Sequence, residues 1–220
     1  MKLKVAKEIT GGLSNPEKMP GYSYNLPPEE CKVGSRLCKI EGTVCKDCYA
    51  RKGRYNFQNV KDAMMRRFKA IRHPSWIFAM TTLIEHYCKD EPYFRFHDSG
   101  DVQDVLHLSN IITICNKLKH INFWLPTIEA SLINTCMQRG LVDIPDNLTV
   151  RISTPKIDRA PGAFHSAVAE YNKLCTSSVT TDADKYPNSI ICQASLNHTN
   201  CGDCRKCWDN DFKHIVYVKH

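Results

Sequence analysis

Residues 93–127, YFRFHDSGDVQDVLHLSNIITICNKLKHINFWLPT, decide the fold. Tyr93–His97 is a short aromatic run that reads as a strand. Asp101 is placed to cap a helix carrying Val105, Leu108, Ile112 and Cys115, with Asp104 in its first turn. Ile121–Leu125 then reads as a second strand. Working outward, Ser131–Arg139 has a helical pattern ended by Gly140, and Leu148–Ser153 is a third strand. A β-α-β-α-β order forces crossover connections and hence a parallel sheet. The fold class is therefore α/β, a parallel-sheet, partial (β/α) barrel-like body.

Upstream, Val60, Met64, Phe68 and Ile71 share one helical face, and Pro74 suits the start of a second helix carrying Trp76, Ile77, Met80, Leu83, Ile84 and Tyr87. Residues 11–57 are rich in Gly, Pro, Asn, Ser and Cys and read as an ordered loop region. Downstream, Ala163–Leu174 reads as a helix, Ser189–Gln193 as a short strand and Ile215–Val218 as a last strand. The expected organisation is a single domain over residues 1–220. It comprises the Cys-rich loop 11–57, a βα core over 58–155 and a Cys-rich tail, 190–220, packed on that core.

The chain has 220 residues, 42% of them hydrophobic, enough for one well-buried core. No stretch approaches the roughly 18 consecutive apolar residues of a membrane span. The start, MKLKVAK, has no apolar signal region. The expectation is a cytoplasmic protein with no membrane partner. In a reducing compartment the clustered ones among the twelve cysteines read as metal ligands rather than disulfides.

Eight cysteines fall in two groups. The first is Cys31, Cys38, Cys45 and Cys48, with a tight Cys45-x2-Cys48 pair. The second is Cys192, Cys201, Cys204 and Cys207, in the run CGDCRKCW. One zinc ion rarely takes three ligands from so compressed a run, whereas a [4Fe-4S] cluster binds each thiolate through a different iron. One or two such clusters are the expectation, ahead of structural zinc. Either Cys31, Cys45 and Cys48 hold a cluster with one iron open to a chelating ligand, or Cys38 completes a closed one. Cys88, Cys115, Cys136 and Cys175 stand alone and read as small buried hydrophobes.

Parallel sheets present their ligand-binding groups at the carboxyl ends of their strands. Here those ends carry His97, Asp98, Ser99 and Asp101, then Glu129, then Arg151 with Ser153 and Thr154. His97, Asp98 and Arg151 are the candidate catalytic residues. Asp98, Ser99, Asp101, Glu129 and Arg151 are candidates for cofactor binding, set against ordinary roles for Asp101 as a cap and Glu129 as a solvated loop residue. The run Tyr49–Tyr55, YARKGRY, suits phosphate contact and base stacking or, equally, charge compensation for a cluster. The formal charge of +7 is compatible with a nucleic-acid partner without demanding one.

Five segments carry a family resemblance: Leu13–Tyr24 (LSNPEKMPGYSY), Val44–Tyr55 (VCKDCYARKGRY), Phe94–Asp101 (FRFHDSGD), Phe123–Thr127 (FWLPT) and Cys201–Asp209 (CGDCRKCWD). The chain resembles the gene product eighty-eight family of bacteriophage and plasmid proteins, which implies a host-cytoplasm location. More distantly it resembles radical S-adenosylmethionine enzymes. That resemblance implies that Cys31, Cys45 and Cys48 hold a cluster whose open iron chelates S-adenosylmethionine, and that the last four cysteines hold an auxiliary cluster. The spacing differs from the Cys-x3-Cys-x2-Cys usual there. Three functional readings follow: an iron–sulfur, radical-type enzyme acting on a nucleotide, nucleic acid or small metabolite; a non-catalytic iron–sulfur protein for redox sensing, regulation or electron transfer; and a zinc-stabilised nucleic-acid-binding module.

The metal is the first thing to test. Protein prepared without oxygen is expected to be brown and to release acid-labile sulfide. Stoichiometric zinc without sulfide would refute the iron–sulfur reading.

Overall fold

The computed structural model describes residues 1–219. Its helices are α1 (Leu3–Thr10), α2 (Lys32–Leu37), α3 (Gln58–Ala70), α4 (Trp76–Tyr87), α5 (Val105–Lys117), α6 (Ala130–Gln138), α7 (Ala163–Tyr171) and α8 (Gln193–Leu196). Its strands are β1 (Tyr22–Tyr24), β2 (Tyr93–Phe96), β3 (Asn122–Thr127), β4 (Leu148–Ser153), β5 (Cys175–Thr180), β6 (Ile190–Ile191) and β7 (His214–Val218). All seven strands are parallel, in the order β1-β2-β3-β4-β5-β7-β6. The sheet is open and does not close into a barrel.

From β1 to β5 each crossover moves one strand in the same direction. Right-handed crossovers in a constant direction put every helix on one face of the sheet. The side chains bear this out. Tyr24, Phe94, Phe96, Phe123, Leu125, Leu148, Val150 and Ile152 alternate along β1–β4 and pack against residues of α3–α7 in the main core. The intervening residues, Tyr93, Arg95, Trp124, Thr149 and Arg151, occupy the other face. There Trp124 packs with Cys207, Trp208 and Ile215, and Tyr93 and Tyr217 pack against that cluster. The C-terminal tail thus does on one face what the helices do on the other.

The expected elements β2, α5, β3, α6 and β4 form within a few residues of the sequence-derived bounds. One cap differs. The α5 N-cap is Asp104, whose Oδ1 accepts from the His107 amide at 2.9 Å. Asp101 instead ties the end of β2 to the end of β3, accepting from Thr127 Oγ1 at 2.6 Å and from the Ile128 amide at 2.9 Å. The buried β5, with the sequence CTSSVT, has no apolar alternation, β1 and α2 lie in the weakly patterned 11–57 segment, and the sequence reading marks no element over the amphipathic α1, which buries Ala6 and Thr10. Cys115 and Cys136 lie on α5 and α6, Cys88 just past α4, and Cys175 opens β5. All four are buried.

The tail is anchored by Arg151, fully buried in the middle of β4. Its Nη1 donates to the Phe212 carbonyl at 2.8 Å and to the Thr176 carbonyl at 3.1 Å, and its Nη2 reaches the Lys206 carbonyl at 3.4 Å. The Trp208 indole donates to the Phe94 carbonyl at 3.0 Å. Removing residues 190–220 would strip β6 and β7 and expose Trp124 and the Arg151 guanidinium together. The truncated chain is expected to lose cooperative unfolding by circular dichroism. An unchanged melting temperature would show that the tail is dispensable.

Candidate metal centre and the polar strand ends

The loop over residues 25–48 is laid across the carboxyl ends of four strands by separate contacts. Past β2, the Ser99 carbonyl accepts from the Leu26 amide at 2.8 Å, and Ser99 Oγ donates to the Leu26 carbonyl at 2.6 Å. Gly100 permits this approach: its φ is +80°, and a Cβ there would lie 2.5 Å from Leu26 Cβ. Past β3, Glu129 Oε1 accepts from the Val33 amide at 2.7 Å, two residues after Cys31. Past β4, the Val44 amide donates to the Pro155 carbonyl at 2.9 Å, just before Cys45. Past β7, Lys219 Nζ pairs with Asp47 at 2.6 Å.

These anchors bring three thiols together. Cys31 lies within electrostatic reach of Cys48, Cys45, Asp101 and Glu129, and Cys45 within reach of Cys48 and Cys38. Both Cys31 and Cys45 lean on Gly34, where an added Cβ would sit 2.9 Å from Cys31 Cβ and 3.5 Å from Cys45 Sγ. Cys38 neighbours Cys45, but its Sγ donates to the Ser35 carbonyl at 3.1 Å. Burial raises the thiol pKa of Cys31 and of Cys48 and pushes that of Cys45 up to about 12, with neighbouring acids and thiols adding to the rise at Cys31 and Cys45. Thiols so held ionise when a cation replaces the proton.

In the second group the thiols neighbour one another pairwise. Cys201 is within electrostatic reach of Cys192 and Cys204, and Cys207 of Cys192. Cys207 Sγ meets Tyr217 Oη at 3.2 Å, and burial pushes its pKa up to about 11. Cys207 is buried, Cys204 exposed. Among the described residues, no three His, Cys, Asp or Glu side chains are gathered so as to hold a single metal ion. The ligands of a cubane bind different irons and need not converge on one point. The donor set, all thiols in two gathered groups, suits such a cluster.

The polar strand ends do not form one pocket. Asp98 is buried, and its carboxylate accepts from Ser23 Oγ at 2.6 Å, Tyr55 Oη at 2.9 Å and Asn25 Nδ2 at 3.4 Å. Tyr49, beside Cys48, donates to the Asp98 carbonyl. Asp101, fastened by its three donors, is nonetheless pushed up to about 7 by burial. Glu129 is a buried anchor of the α2 turn rather than a solvated loop residue. Arg151 lies under the second thiol group, away from the first. His97, at φ +63°, stacks edge-on against His107 at 5.2 Å, and neither of its ring nitrogens has a hydrogen-bond partner. Arg95, Trp124 and Gly34 were not among the sequence candidates. The alternation of Arg95 with Phe94 and Phe96, and of Trp124 with Phe123 and Leu125, was the signal that placed them on the helix-free face.

A family model described as Gene product 88 matches residues 2–210. No curated protein and no solved structure matches the chain. No helix among the described residues is long and apolar enough to cross a membrane.

Two outcomes test this geometry. Glu129→Ala should cost about 1–2 kcal/mol by leaving the Val33 amide without its acceptor, and should speed the reaction of apo-protein thiols with a disulfide reagent. Glu129→Gln, which keeps an acceptor, should be milder on both counts. The second outcome concerns pH. Burial pushes His107 down to about 3, and lowers His97 as well. The unfolded chain binds these protons first, so this contribution to stability is complete above about pH 6.5 and is lost as the pH falls toward the folded values. In denaturant titrations, His107→Phe should flatten the acid limb by up to about 1.4 kcal/mol per pH unit. An unchanged slope would contradict the assignment.

Proposed function

The chain belongs to the gene product 88 family, and from its own thiols we propose that it is an iron–sulfur enzyme of the radical S-adenosylmethionine type. In this reading Cys31, Cys45 and Cys48 hold one cluster through three thiolates. Cys192, Cys201, Cys204 and Cys207 hold a second, closed one. The observation that carries it is the convergence of Cys31, Cys45 and Cys48 over the carboxyl ends of the strands, while the Cys38 thiol turns to the Ser35 carbonyl. A cluster with three protein thiolates leaves one iron for a chelating ligand, and supplies one-electron chemistry when the ligand is bound.

The chain's own groups set the surroundings. Glu129 fixes the turn that presents Cys31. Arg51, within electrostatic reach of Cys45 and Cys48, offsets negative charge and braces the loop by donating to the Pro28 carbonyl at 3.2 Å. A groove of about 190 Å³ opens beside this loop, lined by Val33, Leu37, Ile128, Ser131, Pro155 and Phe164. Its place at the ends of β3 and β4 is where parallel sheets receive ligands, and it is the space proposed for a small-molecule or nucleotide substrate. Exposed Lys52 and Arg54, next to the aromatic Tyr49 and Tyr55, favour a substrate bearing phosphate. Nucleic acid is the larger version of the same chemistry.

Adding S-adenosylmethionine to reduced, anaerobic protein should change the electron paramagnetic resonance spectrum, and Cys38→Ala should retain the cluster and the change. Cys45→Ala should lose both. An unchanged wild-type spectrum, with the N-terminal cluster lost in Cys38→Ala, would mean that Cys38 closes the site. The protein would then be an electron carrier or redox sensor rather than a radical enzyme.

A further inference from the structure

The helix-free face holds an electrostatic imbalance. Arg95 and Arg151 project from β2 and β4, and neither forms an ion pair with a carboxylate among the described residues. Asp98 is within reach of Arg95, but its oxygens are taken by Ser23, Tyr55 and Asn25. The Nε of Arg95, the Nε of Arg151, the Nε1 of Trp124, the Oγ1 of Thr149 and the Nε2 of His214 are buried without a hydrogen-bond partner. Trp124 is 6% exposed, and Thr149 and Arg151 are 0% exposed. Arg95, Trp124 and Thr149 stand side by side in the register of β2, β3 and β4. Unpaired buried donors and cations are costly, and a cluster of them marks the place of an anion.

That place is the second thiol group. Cys207 lies within electrostatic reach of both Arg151 and Arg95, and Cys201 of Arg95. The Arg95 guanidinium stacks 4.2 Å above the Trp124 ring. Trp124 stacks in turn on Tyr217 at 6.4 Å, whose hydroxyl meets Cys207. On its other side, Arg95 Nη2 donates to Tyr49 Oη at 3.2 Å, and Tyr49 adjoins Cys48 of the first thiol group. Cys204 remains at the surface.

We infer that the C-terminal thiol group is a tuned redox centre, with Arg95 and Trp124 as its positioning residues, rather than a structural staple. This rests on the iron–sulfur reading above. A four-thiolate [4Fe-4S] centre carries negative charge and gains one more on accepting an electron. Fixed cations and N–H donors favour the reduced form and raise the potential. Exposed Cys204 gives an external one-electron donor its point of approach, and the Trp124–Arg95–Tyr49 line runs from this centre toward the first.

The test is a potentiometric titration with dithionite, followed by electron paramagnetic resonance, in full-length protein carrying Cys45→Ala so that only the C-terminal cluster reports. Arg95→Gln should weaken the reduction equilibrium at least tenfold, a negative shift of about 59 mV for a one-electron couple. Trp124→Phe, which removes the N–H donor with less disturbance of packing, should shift it the same way by less. Loss of surface charge in Lys119→Gln should not move it. A cluster present and unshifted in both Arg95→Gln and Trp124→Phe, or lost from both, overturns the inference. Absence of iron and sulfide from the Cys45→Ala parent would instead overturn the iron–sulfur reading on which it rests.

Discussion

A parallel sheet wound in one direction receives all its helices on one face, and the other face must be closed by something else. In this protein that constraint organises nearly everything. The apolar alternates of β1–β4 meet the helices, and the intervening positions carry Arg95, Trp124, Thr149 and Arg151. Among the described residues no α-helix covers them; a 3-10 turn over Lys206–Trp208 does. The covering is the C-terminal tail, which packs Trp208, Ile215 and Tyr217 against Trp124 and is fastened by its backbone as well. Arg151 collects carbonyls from Thr176, Lys206 and Phe212 with one planar fork, a task to which guanidinium geometry is suited. The same face therefore has to be polar where a barrel interior would be aliphatic.

The N-terminal loop solves the matching problem at the strand ends. A loop of this length, in a sequence with little periodicity, gains order by forming backbone bonds with one strand end after another. Ser99 holds Leu26, Glu129 holds Val33 and Pro155 holds Val44. Each contact lies within a few residues of a cysteine, so fastening the loop and assembling its thiols are one event. Buried thiols close together repel each other as thiolates and resist ionisation. A bound cation would relieve both costs, coupling its binding to the order of the loop.

Much of this was legible in the sequence because β2, β3 and β4 are both apolar and regularly spaced by amphipathic helices. Spacing alone marked the two cysteine groups, and within each the thiols come into electrostatic reach of one another, Cys31 of Cys45 and Cys48, and Cys201 of Cys192 and Cys204. What periodicity could not carry was polar structure. The pattern marks no strand over Cys175–Thr180 because Thr176, Ser177 and Ser178 break any apolar alternation, yet Ser178 bonds to Thr154 and Thr176 to His214 inside the sheet. The sequence pattern puts the α5 cap at Asp101 and Asp104 in the first turn, whereas Asp104 is the cap. Which one caps is decided by Thr127 and Ile128, whose donors draw Asp101 away. Sequence order alone groups Arg151 with His97 and Asp98, since each lies near the carboxyl end of a strand of one sheet. A residue within a strand points to one face, however, and Arg151 points to the tail while His97, bent by its positive φ, turns toward α5.

The two thiol groups consequently differ in kind. The first lies at the open edge, against a groove and among acids that position loops. The second lies within the tail, against the half-buried Arg95, the buried Arg151 and a layer of indole and phenol rings, with Cys207 buried, Cys192 and Cys201 half-buried and Cys204 exposed. Had both served only as staples, the simplest solution on the helix-free face would be aliphatic, since replacing buried charges by packed hydrophobes is often neutral or stabilising. Arg151 has a structural use that accounts for its charge. Arg95 does not: one of its contacts is a ring face, one a tyrosine hydroxyl and one a thioether. A half-buried cation whose Nε is covered and unpartnered makes physical sense when the charge it answers arrives with the occupant of the site.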